Sequence, residues 1–102
     1  MATNQQAILN LLGIAMRAGK LVTGEELAVK AIQKGQAKLV FVAADASQNT
    51  MKKIKDKSLY YQVLVNDTFD MLTLSSAIGR KRSVIVVADE GFAKKFTELI
   101  KG

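Results

Sequence analysis

The chain has no cysteine, no histidine, no proline and no tryptophan. Without cysteine there is no disulfide framework and no thiol chemistry, which fits a reducing cytoplasm. Without histidine the commonest acid–base group and metal ligand is missing as well, so no metal and no cofactor is expected. The lack of proline removes one usual mark of a hinge between domains. Aromatic residues are scarce, four Phe and two Tyr, and a broad surface of stacked rings of the kind single-strand binders use is poorly supplied. No hydrophobic run approaches the roughly 18 residues that would suggest a membrane span. Residues Met1 to Asn10 carry no basic group ahead of an apolar stretch, so a secretory signal is not expected. Gly-x-Gly-x-x-Gly and Walker-type phosphate loops are both missing.

What is there is short, apolar and basic. One hundred and two residues suit a single domain, residues 1–102, because compact domains commonly run to about 100–150 residues. Nearly half the residues, 49%, are hydrophobic, enough for a real core. Fifteen Lys and Arg against nine Asp and Glu leave a net charge of +6. On so small a body that favours anionic partners, nucleic acid first and an acidic membrane surface second.

Hydrophobic spacing divides the chain into alternating helices and strands. Ile8, Leu11, Leu12 and Ala15 recur at helical intervals and predict a helix over Asn4–Arg17, stopped by Ala18-Gly19-Lys20. Leu21-Val22 forms a very short strand. Thr23 and Glu26 match a capping box that opens a second helix, and Gly35 closes it. Lys38–Ala44 and Ser83–Ala88 are unbroken apolar runs that read as buried strands, with Gln62–Val65 as another. Asp45 or Ser47 caps a third helix through about Lys57. Asp67 with Asp70 starts a fourth running to Ala77, and Asp89 caps a last one over Glu90–Ile100. This alternation predicts an α/β domain with helices on both faces of a mostly parallel sheet. The short first strand adds a fourth member, with antiparallel pairing open to it.

The second helix carries the first candidate site. It begins on Gly24 and sends Lys30 and Lys34 down one side, a turn apart. A helix mouth with free N–H groups and the positive end of the macrodipole can receive phosphates or base edges. The plain alternative is a solvated face in which Glu26 caps the helix and pairs with Lys30. The second candidate is Ile78-Gly79-Arg80-Lys81-Arg82, where three consecutive cations on a tight loop favour an anionic visitor and Ile78 offers an apolar contact to an unstacked base. Its alternative is a charged loop that keeps the next strand from aggregating. Arg17 and Lys20, flanking Gly19, read either as phosphate contacts or as helix-end cations. Lys52, Lys53, Lys55 and Lys57 form an exposed basic helix face that supplies diffuse attraction. Asp45, Asp67 and Asp89 stand where α/β enzymes place carboxylates, but each also precedes a helix, and capping explains it without chemistry.

Taken in order, Leu12–Lys20, Gly24–Lys30, Gly35–Val40, Ala44–Ser47 and Ala77–Arg80 form a pattern that resembles the bacterial YlxQ-type proteins of the ribosomal protein L7Ae superfamily, whose members bind kink-turn RNA. The resemblance spans about Asn4 to Phe96. It implies a three-layer α/β/α sandwich around a small mixed four-stranded sheet. It also implies that RNA sits at the mouth of the second helix and on the loop before the last strand. In the wider family that helix reads Gly-x-Asn-Glu-x-x-Lys. Gly24 and Lys30 match, whereas Glu26 and Leu27 stand where the family has Asn and Glu. Leu27 cannot accept a hydrogen bond and Glu26 accepts without donating, which leaves Glu25 to supply the missing acceptor. The expectation is a non-enzymatic, cytoplasmic, ribosome-associated protein that binds a sharply bent RNA through Arg17, Lys20, Gly24, Glu25, Glu26, Lys30, Lys34, Ile78, Gly79, Arg80, Lys81 and Arg82. Nothing demands more than a monomer. The rival expectation is a protein-interaction module docking on a ribosomal or translation-factor surface without touching RNA.

Overall fold

The computed structural model describes residues 4–102; the first residues of the segment read above for a signal lie outside them. The elements are α1 (Asn4–Arg17), β1 (Leu21–Thr23), α2 (Glu25–Gln33), β2 (Leu39–Val42), α3 (Gln48–Tyr60), β3 (Val65–Asn66), α4 (Met71–Ile78), β4 (Val84–Val87) and α5 (Glu90–Lys101). The strands form one sheet in the order β1-β4-β2-β3.

Both central strands are buried at every position, so both sheet faces must be covered, and the pleat decides what covers each. Leu39, Phe41, Ile85 and Val87 pack with Ile8, Leu12, Ala15, Leu74, Ala93 and Phe96 from α1, α4 and α5. Val40, Val42, Val84 and Val86 pack with Ala28, Ala31, Ile32 and Ile54 from α2 and α3. The result is a three-layer sandwich. On the first face the Phe41 and Phe96 rings meet edge to face, centroids 5.3 Å apart, a favoured aromatic geometry.

The sheet is mixed, but it is not mostly parallel as the helix–strand alternation predicts. Only β2 and β3 run parallel; β4 runs antiparallel to both β1 and β2. The cause lies in α4, whose eight residues span only about 12 Å. Its first turn sits beside the exit of β2, where Asp45 accepts from the Met71 amide at 2.8 Å. The chain beyond it re-enters the sheet at the same end, the Ser83 carbonyl accepting from the Ala43 amide at 2.8 Å. The helix therefore lies across that end of the sheet, and β4 departs in the opposite direction to β2.

Caps separate the aspartates by task. Ser47, not Asp45, caps α3 by accepting from the Thr50 amide at 3.2 Å. Asp70 caps α4 through Thr73, and Asp89 caps α5 through Phe92. Asp67 lies outside α4 and pairs with Lys55 at 2.9 Å. Its hydrogen bond from Lys55, with that cation's field, holds the carboxyl below the ordinary value of 3.8 against a smaller opposing effect of burial. Asp70 is lowered likewise by its bonds from Thr73. The helix expected to stop near Lys57 runs on to Tyr60. Gln62 then turns the chain at φ 59°, which shifts β3 to Val65–Asn66, later than the apolar run suggests.

Candidate nucleic-acid interface

Thr23 is the last residue of β1, and the sheet ladder continues one residue further: the Gly24 amide donates to the Val84 carbonyl at 2.9 Å. Gly24 then turns the backbone into α2 at φ 99°, ψ 147° and serves as the N-cap. That conformation is essentially reserved for glycine. A Cβ there would meet nothing closer than the Arg82 side chain at 3.9 Å, so torsion and not crowding sets the requirement.

The capping box expected from Thr23 and Glu26 does not form, because no side chain caps α2. The Thr23 hydroxyl instead accepts from Arg82 Nε at 3.3 Å. A side chain 59 residues away has taken the group that a local pattern assigns to the helix. The first-turn N–H groups of α2 are thus left without a side-chain acceptor, next to a guanidinium.

Three further hydrogen bonds on Arg82 place that guanidinium. Gly79 adopts the left-handed conformation at φ 77° and ends α4, its amide donating to the Ser75 carbonyl. The Ser75 hydroxyl then donates to the Arg82 carbonyl at 3.1 Å and accepts from the Arg82 amide at 3.0 Å. Arg82 Nη1 donates to the Lys81 carbonyl at 2.8 Å. Arg80 and Lys81 are exposed. Together with Met71, Leu72, Ser75, Ser76 and Gly79 they line an open cavity of about 400 Å³. Ser75 carries no charge and matches no motif, so sequence reasoning passed over it, and Thr23 reads there only as a helix cap.

The ion pairs among the described residues are Lys20–Asp89, Lys52–Asp56 and Lys55–Asp67. None involves Lys30, Lys34, Arg80, Lys81 or Arg82. Glu26 and Lys30 are both exposed, and the pairing that would make them an ordinary solvated face is not among these bridges. Glu25 is half-buried in the first turn and Leu27 is exposed.

The twelve residues singled out in the sequence do not all meet. Arg82 is brought beside Thr23 and Gly24 at the start of α2. Glu25 and Glu26 follow in its first turn and Lys30 about 9 Å along the helix, while Gly79, Arg80 and Lys81 line a cavity with α4 residues. Lys34 caps the far end of α2, about 15 Å from Gly24 along the axis. Ile78 offers nothing to a ligand: it is 8% exposed and belongs to the core formed with α1 and α5. Lys20 enters β1 at the end away from Gly24, and its carbonyl accepts from Ala88 while its ammonium lies 4.0 Å from Asp89. Arg17 ends α1 and lines a groove of about 730 Å³ with Gly13, Leu72 and Ala77, which shares Leu72 and Ser76 with the Arg80–Lys81 cavity.

Comparison with known proteins places the chain in a family. The profile of the ribosomal protein L7Ae/L30e/S12e/Gadd45 family matches residues 6–97. The chain belongs to this family. It is 54% identical over 99 residues to an RNA-binding protein YlxQ of Enterococcus faecium, covering 97% of this chain and 96% of the relative. A second RNA-binding protein YlxQ, from Bacillus subtilis (strain 168), is 45% identical over 91 residues, or 88% of this chain and 91% of that one. Among solved structures, a protein with unknown function from Bacillus halodurans superposes with a TM-score of 0.88 at 46% identity, covering 93% of this chain and 97% of that chain. A 15.5 kD RNA binding protein of Giardia lamblia shares the fold alone, with a TM-score of 0.78 at 18% identity over 96% and 85% of the two chains.

Proposed function

We propose that this protein binds structured RNA and grips a sharply bent duplex of the kink-turn type between the mouth of α2 and the Gly79–Arg82 loop. The observation that carries the reading is the hydrogen bond from Arg82 to Thr23, next to Gly24 at the start of α2. It sets the loop that carries Arg80, Lys81 and Arg82, none of them in an ion pair among the described residues, next to a helix start without a side-chain cap. A kinked RNA crowds its own phosphates, so cations at the bend stabilise it over the extended form, and the protein selects the bent population. Gly24 permits close approach of the strand, Lys30 reaches along the helix, and Arg80 and Lys81 meet phosphates from the loop. The names of the curated relatives support RNA as the ligand.

With Leu27 and Glu26 in place of the family's Glu and Asn, base-edge readout is reduced and electrostatics carries more of the affinity. The proposal extends to a ribosome-associated, cytoplasmic monomer that binds and does not catalyse. Asp45 accepts from the Met71 amide, Asp89 caps α5 and Asp67 pairs with Lys55, so each of these carboxylates has structural work.

Titration of a kink-turn RNA and of its non-kinking variant, in one buffer, tests the reading. The kinking RNA should bind more tightly, with affinity falling as salt rises. The double variant Lys30→Ala, Arg80→Ala should bind at least tenfold more weakly, about 1.4 kcal/mol. Equal binding of the two RNAs, or an unaffected double variant, would overturn it. Loss of RNA binding altogether would favour a protein-docking module.

A further inference from the structure

The exposed side of α3 carries a second surface that the first site does not use. Asn49, Lys52, Lys53, Asp56, Lys57, Tyr60 and Tyr61 follow one another at helical spacing and line an open groove of about 830 Å³. Lys52 pairs with Asp56 at 3.0 Å; Lys53 and Lys57, one turn apart, have no acidic partner among the described residues. At the end of the groove the Tyr60 and Tyr61 rings meet edge to face, centroids 4.9 Å apart. Tyr60 is nonetheless 80% exposed and Tyr61 40%.

The backbone fixes this display. Val63 donates to the Ser58 carbonyl and Gln62 to the Leu59 carbonyl, the paired bonds of a Schellman ending. The left-handed position falls on Gln62 at φ 59°, where glycine would be the unstrained choice. The turn folds Val63 into the core beneath α2 and α3 and leaves both rings outside. The chain's few aromatic residues make this placement informative: two of the six stand on the surface, next to unpaired lysines.

We propose that this stripe is a binding site for single-stranded RNA, with a base stacked on Tyr60 and flanking phosphates at Lys53 and Lys57. A ring face held by its neighbour accepts any base, and two cations a turn apart follow the backbone without reading sequence. The charge of the groove favours a polyanion over an apolar peptide. The site uses no residue of α2 or of the Gly79–Arg82 loop. Its stacking residue Tyr60 lies about 18 Å along α3 from Gln48, and the stripe stands independently of the kink-turn reading.

Because the chain has two tyrosines and no tryptophan, its intrinsic fluorescence reports on this patch alone. A short oligouridylate at about 0.15 M salt should quench that emission saturably. By anisotropy of the labelled oligonucleotide, Tyr60→Ala should bind at least tenfold more weakly, while Tyr60→Phe, which keeps the ring, stays within about twofold. The double variant Lys53→Ala, Lys57→Ala should weaken binding and Lys30→Ala, Arg80→Ala should not. Absence of quenching, unchanged affinity of Tyr60→Ala, or a Tyr60→Phe variant as weak as the alanine variant would each overturn the proposal.

Discussion

The Ser75 hydroxyl holds both backbone polar groups of Arg82, donating to its carbonyl and accepting from its amide. One small side chain on α4 thereby fixes where the loop delivers its guanidinium. Ser75→Ala should remove both bonds and cost about 1–2 kcal/mol of stability in denaturant titration. If Ser75 also sets the position of Arg82 for RNA, the variant should lose affinity for a kink-turn RNA several-fold while remaining folded. Undiminished affinity would detach Ser75 from the interface.

Gly24 tests the mouth of α2 from the other side. Its torsions fall where an L side chain is strained, although space for a Cβ is available. Gly24→Ala should therefore lower stability by about 1–3 kcal/mol, read as a shift in the urea midpoint. An alanine variant as stable as the parent would show that the turn relaxes without cost.

Ser58 predicts the opposite sign. It is fully buried on α3 and its hydroxyl has no hydrogen-bond partner among the described residues. A buried, unsatisfied hydroxyl is destabilising compared with a methyl group. Ser58→Ala should raise stability by about 1 kcal/mol. A loss of similar size would reveal a partner for the hydroxyl in solution.

Asp67 and Asp70 set the acid limit. Both carboxyls are lowered below their ordinary value of 3.8, by Lys55 and by Thr73 respectively. A depressed carboxylate contributes stability above its unfolded-state pKa and loses that contribution as pH falls through the folded-state value. Urea midpoints should thus be level near neutrality and decline below about pH 4. Asp67→Asn should flatten part of that decline, and an acid limb identical to the parent's would deny Asp67 its share.

The layered fold was legible in the sequence because its signals are local. The apolar runs of β2 and β4, the Ile8–Leu12–Ala15 spacing of α1 and the caps at Asp70 and Asp89 each act within a few residues. What misled were patterns decided at long range. Thr23 and Glu26 have the spacing of a capping box, but the hydroxyl goes to Arg82. The direction of β4 depends on where α4 lies, which no run of hydrophobic residues records. Ile78 borders a cationic loop in sequence yet faces the core, because it fills the last turn of α4. Lys20 and Gly24 are neighbours in the chain but stand at opposite ends of an extended strand. The exposed tyrosine pair was hidden for a related reason, since composition counts rings without saying which of them stay outside.

One consequence follows from the ladder bond between Gly24 and Val84. That bond ties the entrance of α2 to a central strand, and the carbonyl of neighbouring Ser83 is tied to the adjoining one through Ala43. The entrance of α2 is thus a direct continuation of the hydrogen-bonded ladder of the sheet. An RNA bound there as proposed would have to bring the matching shape with it.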